Sequence, residues 1–329
     1  MKKIIMGMIA AAFAQVAFSD VTPALVSENL FGSIRIDSKS AFTMVGVPFE
    51  GFAAQFEDNE YYSEPQPNKI LVRDVVSIDT LAPKDTMSIF DPDATSKEAE
   101  YHNYTLRQQK FGTQTFKFWV ASSWFDEQIM QQIPYPEPDE RLIEVSSGIF
   151  IGRNSSNNPA NGYSIYAYGQ IPQGFDYGKA ITLEKGKTII SAPGEMAYTP
   201  LNLNSLEWSG EINAVKGERI DCEEYGLTPE DVADIFGSAY QDFTEFLIID
   251  SITSKDDSII YYDPETGNEV DLVYFEDSWY KKIDENTGVR DESMAVIPPG
   301  QAFWYLRGGD TPVTMKWSKA TVQDEPSGD

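Results

Sequence analysis

Apolar and polar side chains alternate with a period of two along most of the chain, as in YSIYAYGQI (163–171), and Gly, Pro, Asn and Asp interrupt the alternation at short intervals. That pattern predicts half-buried strands joined by turns. In YYDPETGNEVDLVYF (261–275), Asp263 and Pro264 open a turn, Gly267 or Asn268 supplies the positive φ angle, and the flanks form a hairpin. The stretches IDENTGVRDES (283–293) and NSSNNPANG (154–162) have similar loop chemistry. One segment departs from the period. In LTPEDVADIFGSAY (227–240), Thr228 as N-cap, Pro229 at the first helical position and Asp231 three residues after the cap predict a short helix that Gly237 ends.

The stretch IPPGQAFWYLRGG (297–309) sets Phe303, Trp304 and Tyr305 side by side. As a strand it sends Phe303 and Tyr305 to one face and Ala302 and Trp304 to the other. Both faces are apolar, so the segment predicts a strand buried on two sides and entered by a Pro-Gly turn. The Tyr305 hydroxyl then needs a partner.

Four patterns recur in the same order. IRIDSKSAFTMVGVP (34–48) matches ITLEKGKTIISAP (181–193), and SIDTLAPKDTMSIFDP (77–92) matches IIDSITSKDDSIIYYDP (248–264), both ending in an aromatic-Asp-Pro turn. FWVASSWF (118–125) matches VYFEDSWY (273–280), which sets Trp124 opposite Trp279, and SSGIFIGR (146–153) matches PPGQAFWYLR (298–307), anchored by Arg153 and Arg307. The expected architecture is mainly β, with two tandem antiparallel β units, sandwich or barrel-like, and one short helix in the second. The expected divisions are a leader at 1–19, a first unit at 20–175, a second at 176–318 and a disordered tail at 319–329.

With its leader, its opening strand pair and its late Pro-Gly-x-x-Phe-Trp-x-x-Arg segment, the chain resembles uncharacterised exported two-repeat β proteins of Verrucomicrobia and related bacteria. The resemblance implies a source, and brings no activity with it.

Composition narrows the function. MKKIIMGMIAAAFAQVAFSD (1–20) has two lysines, an apolar run and a small-x-small site, the features of a secretory signal peptide cleaved after Ser19. The run is shorter than the ~20 residues of a membrane helix, so no membrane insertion is expected, and the mature protein is expected to be periplasmic, cell-surface or extracellular. The formal charge of −27 becomes −29 once Lys2 and Lys3 leave with the leader, a field that repels nucleic acid. Single Cys222 and His102 residues leave no intrachain disulfide and no ordinary zinc site. The acidic neighbours of Cys222 argue against a reactive thiolate. No nucleophile elbow, phosphate loop or dinucleotide fingerprint occurs, so no cofactor is expected.

Calcium takes ~6 to 8 oxygens, and Asp263, Glu265, Glu269 and Asp271, or Asp256 with Asp257, are candidate ligands without EF-hand spacing. With aromatics at 13% of the chain, Trp124, Trp279 and Tyr305 are the candidates for stacking on a glycan. The expectation is an exported, non-catalytic β protein of cell-surface or extracellular structure or adhesion, its partners a glycan or further copies of itself. A carbohydrate-binding module is the alternative, and a glycoside hydrolase using two acids a further one.

Overall fold

The computed structural model describes residues 31–317 apart from 57–58, 95–99, 127–130, 155, 157–160, 173–179 and 291–294. The leader, the unit boundary at 175/176, most of the 154–162 loop and the tail lie outside the described residues. The fold is mainly β with antiparallel pairing throughout.

The first unit contains β1 (Phe31–Ser38), β2 (Phe42–Gly46), β3 (Lys69–Leu71), β4 (Thr86–Phe90), β5 (Tyr101–Phe111), β6 (Gln114–Ala121), β7 (Ser123–Asp126), β8 (Gln131–Pro134), β9 (Leu142–Glu144), β10 (Gly148–Gly152) and β11 (Tyr163–Gln170). The second contains β12 (Ala180–Leu183), β13 (Gly186–Ser191), β14 (Leu201–Asn202), β15 (Glu207–Ser209), β16 (Lys216–Asp221), β17 (Glu245–Ser251), β18 (Ser258–Tyr262), β19 (Glu269–Phe275), β20 (Ser278–Lys282), β21 (Thr287–Val289), β22 (Val296–Ile297), β23 (Ala302–Arg307) and β24 (Val313–Lys316).

Strand order matches in three pairs of sheets, and the first unit has in addition the two-stranded sheet β7-β8. The first unit has sheets β1-β11, β3-β9 and β2-β10-β4-β5-β6; the second has β12-β24, β14-β22 and β13-β23-β18-β19-β20, extended by β15 on one sheet and by β21-β17-β16 on another. No strand of one unit pairs with a strand of the other among the described residues. The helix Pro229–Phe236 stands in the second unit as expected, and a single-turn helix that the pattern does not predict, Ala53–Phe56, stands in the first. Thr228 and Asp231 form a reciprocal capping box, and the chain leaves through Gly237 at φ 106°. In the β18–β19 hairpin the Asp263 carboxylate accepts from the N–H groups of Glu265 and Thr266, and Gly267 takes φ 73°.

Register makes the correspondence residue-specific. Phe150 pairs with Met44 and Ser88, and Trp304 pairs with Ile189 and Ile260. Following Ser88 to Asn103 and Ile260 to Asp271, then three residues along β5 and β19, leads to the pairs Leu106–Trp119 and Tyr274–Trp279. The counterpart of Trp279 is therefore Trp119, not Trp124. The similar letters of SSW and DSW do not mark equivalent places, because the β5–β6 hairpin is longer than β19–β20.

Within each unit a small sheet packs on the large one. Ile36 and Ile165 meet Val45, Met87, Ile89, Ile149 and Ile151 in the first core; Leu183 and Met315 meet Ile190, Ile259, Phe303 and Tyr305 in the second. The expectation for 297–309 holds. Phe303 and Tyr305 enter the second core, while Ala302 and Trp304 turn to the opposite face and pack with Met44 and Phe150 of the first unit. Ile34, Phe49 and Ala167 of the first unit also join the second core, so the two units share buried surface.

Equivalent residues meet at that junction. Gly46 N–H donates to the Gly300 carbonyl at 2.8 Å, and Ser191 N–H donates to the Ser146 carbonyl at 2.8 Å. Gly46 corresponds to Ser191 and Ser146 to Gly300, so the two bonds are images of each other across a local two-fold axis. Ser146 and Gly300 share a left-handed backbone, φ 72° and 73°. Phe150 lies against its own counterpart Trp304, ring centroids 5.7 Å apart. This is the self-complementary geometry of a two-fold dimer interface, built within one chain.

Candidate functional site

A buried ion pair recurs in both units. Arg153 Nη1 donates to Asp85 Oδ2 at 2.7 Å, and Arg307 Nη1 donates to Asp257 Oδ2; both carboxylates are fully buried. The other oxygens also match, Asp85 Oδ1 accepting from Asn154 N–H and Asp257 Oδ1 from Gly308 N–H, each at 2.9 Å. Each pair clips the turn before β4 or β18 to the end of β10 or β23. The Tyr305 hydroxyl donates to Asp257 Oδ2 at 2.9 Å, which supplies the partner it needed; burial and the Asp257 carboxylate push that phenol upward.

Most sequence candidates belong to the framework. The Trp279 and Tyr305 rings, considered for glycan stacking, are 1% and 0% exposed and pack edge-on to each other beside Trp208. Neither ring is available to a ligand, because each fills the second core. Trp124 lies on β7, and its side chain falls outside the described residues. The calcium candidates do not converge: Asp263 caps its turn, Glu265 pairs with Lys39 at 2.7 Å and Asp271 with Lys282 at 3.1 Å. Glu269 accepts from the Tyr262 hydroxyl, and Asp256 and Asp257 face separate backbone amides. Among the described residues no three Asp, Glu, His or Cys side chains are grouped to hold a metal ion. Cys222 is buried, its thiol pushed up by burial and then by Asp221. His102 sits on β5 with Nε2 at 3.0 Å from Asp91 and its ring on Tyr135.

The sequence reading missed a cleft of about 620 Å³ in the first unit, lined by Glu60, Tyr61, Arg73, Asp74, Ile78, Lys117, Phe118, Trp119, Glu137, Pro138 and Asp139. Its cations are already engaged. The Arg73 guanidinium donates to Asp74 at 3.2 Å, to Asp139 at 2.8 Å and to the Gln55 carbonyl at 2.5 Å. The Lys117 ammonium donates to the carbonyls of Ile78, Asp79 and Leu81 at 3.1, 3.1 and 2.6 Å. Burial pushes the Asp74 carboxyl up to about 6 against the pull of Arg73. A hydrogen bond to Glu140 occupies the Tyr61 hydroxyl and pushes it up to about 12. Glu60 and Glu137 are exposed and form no ion pair among the described residues. Free acceptors and the exposed rings of Tyr61 and Phe118, with the cationic donors spent, make this cleft suited to a cation rather than to an anion.

At the root of this cleft begins a projecting ribbon. β4 pairs with β5 only as far as Thr105, while β5 and β6 stay paired to Phe111 and Gln114. Residues 107–111 and 114–118 thus form a two-stranded ribbon with no further strand beside it among the described residues. Cross-strand register puts Arg107 beside Phe118, Gln109 beside Phe116 and Phe111 beside Gln114 on one face. Phe111, Phe116 and Phe118 are 59%, 42% and 40% exposed. Residues 101–121 include three basic residues and no acidic one, so the rest of the chain carries all 52 carboxylates against 22 of the 25 Lys and Arg.

No family model, no curated protein and no solved structure matches this chain. Among the described residues no helix is long and apolar enough to cross a membrane.

Proposed function

We propose that the chain is an exported, non-catalytic protein with a duplicated β unit, acting in cell-surface or extracellular structure or adhesion. The observation that carries this reading is the ribbon: three exposed phenylalanines and unpaired strand edges form an association surface that a solitary protein would suppress. Export rests on the leader sequence. The tested property is association. Sedimentation of the mature protein and its adsorption to cell surfaces should both weaken in Phe111→Ser/Phe116→Ser. A wild-type protein that neither associates nor adsorbs overturns the reading.

The hydrolase alternative has one supporting observation, the Asp74 carboxyl raised to about 6 in an open cleft, as a general acid requires. Its Arg73 neighbour ties Asp74 to Asp139 and so favours a structural role. Turnover of a glycoside panel that Asp74→Asn abolishes would establish the enzyme.

A further inference from the structure

We infer that the ribbon of one molecule docks into the acidic cleft of a second copy of this chain. This rests on the association reading above and names its two surfaces. The cleft offers the carboxylates of Glu60 and Glu137, with Tyr61 and Phe118 at their side, while Arg73 and Lys117 are held by internal acceptors. It calls for an alkyl cation accompanied by an apolar group. The ribbon presents Arg107 and the Phe111 ring on one face and Lys110 on the other, both cations exposed and without an ion pair among the described residues.

Segregation of charge points to self-recognition. A chain so acidic repels its copies over most of its surface, and the ribbon is a long stretch in which that repulsion reverses sign. A lone two-stranded ribbon is also marginally stable in water, so docking gives its exposed rings the burial that its own sheet does not provide. The two patches meet at Phe118, but the ribbon's Lys110, Phe111 and Phe116 are distinct from the cleft carboxylates Glu60 and Glu137, so the contact joins unlike patches: it closes into a pair if reciprocal and otherwise extends into a chain.

Two variants test this, a ribbon variant (Arg107→Glu/Lys110→Glu) and a cleft variant (Glu60→Lys/Glu137→Lys), all four positions being exposed. Circular dichroism checks that each is folded. In analytical ultracentrifugation at low salt the wild type should self-associate, and each variant alone should do so at least about tenfold more weakly. Mixed together the two should associate again, because each retains the surface that the other has lost. Raising the salt to ~1 M, where the Debye length is about 3 Å, should weaken the wild-type contact. A cleft variant that associates as the wild type does overturns the inference and leaves the association reading standing. Mixing without recovery overturns it too. A wild type that is monomeric at every concentration and binds only anionic phosphatidylglycerol vesicles overturns the self-docking and keeps adhesion; one that does neither removes both.

Discussion

Gly148 and Ala302 hold equivalent places on β10 and β23 and face each other at the junction of the two units, so closely that a methyl on Gly148 would collide with the Cβ of Ala302. One methyl thus serves two positions. Gly46 and Ser191 repeat the arrangement, a Cβ on Gly46 falling 2.7 Å from that of Ser191.

Overpacking of a tight core costs about 1–3 kcal/mol, so Gly148→Ala should destabilise the protein by that amount in urea unfolding. Adding Ala302→Gly moves the methyl across the local axis and should recover the part of the loss owed to Ala302, the remainder coming from the contact with Ile189. Additive losses in the double variant would show that the junction lacks the two-fold character described above.

The buried ion pairs make a second comparison. Asp257 is fully buried and accepts from Arg307, Tyr305, Asn213 and Gly308. Asp257→Asn leaves Arg307 without its counter-charge and should cost about 3–5 kcal/mol, whereas Asp257→Leu/Arg307→Met, which removes both charges, should cost less than the sum of its single changes. Asp85→Asn with Arg153 should give a parallel result in the first unit. Equilibrium unfolding of the single and double variants measures both couplings.

How far these relationships were legible in the sequence depended on what each residue advertises. Arg153 and Arg307 stand out in a chain with few cations, and anchoring on them gave the register of β10 and β23 correctly. Their carboxylate partners were invisible: Asp85 and Asp257 differ from some fifty other acids only in burial, which composition does not record. The helix was legible because Thr228, Pro229 and Asp231 act locally. The Trp119–Trp279 equivalence was not, since it runs through three strand pairings. The cleft assembles Tyr61, Arg73, Lys117 and Glu137 from four separate segments, and no local pattern announces that.

Trp119 and Trp279, though equivalent, have different surroundings. Trp279 is enclosed in the second core by Trp208, Tyr274 and Tyr305, whereas Trp119 borders the cleft. Trp279→Ala should therefore cost the full ~3–5 kcal/mol of a buried aromatic truncation, and Trp119→Ala less, because water enters the space from the cleft. Equal losses in chemical denaturation would contradict this account of the cleft wall.

Asp74 supplies the pH dependence. Its folded value of about 6 lies above the ordinary 3.8, so between those values the folded state holds a proton that the unfolded state has lost. Stability from this group is therefore present at low pH and is lost as pH rises through about 6. At about 1.4 kcal/mol per pH unit between the two values, the loss reaches up to ~3 kcal/mol at neutral pH. Asn does not titrate, so the stability of Asp74→Asn minus that of the wild type should rise by up to this amount from pH 4 to pH 7. Taking the difference cancels the titration of the remaining acids. Urea unfolding of both proteins at pH 4, 5, 6 and 7 measures it. A difference that is flat or falls with pH would show that Arg73 dominates and that the Asp74 carboxyl is held ionised, which would also remove the general-acid argument from the hydrolase reading.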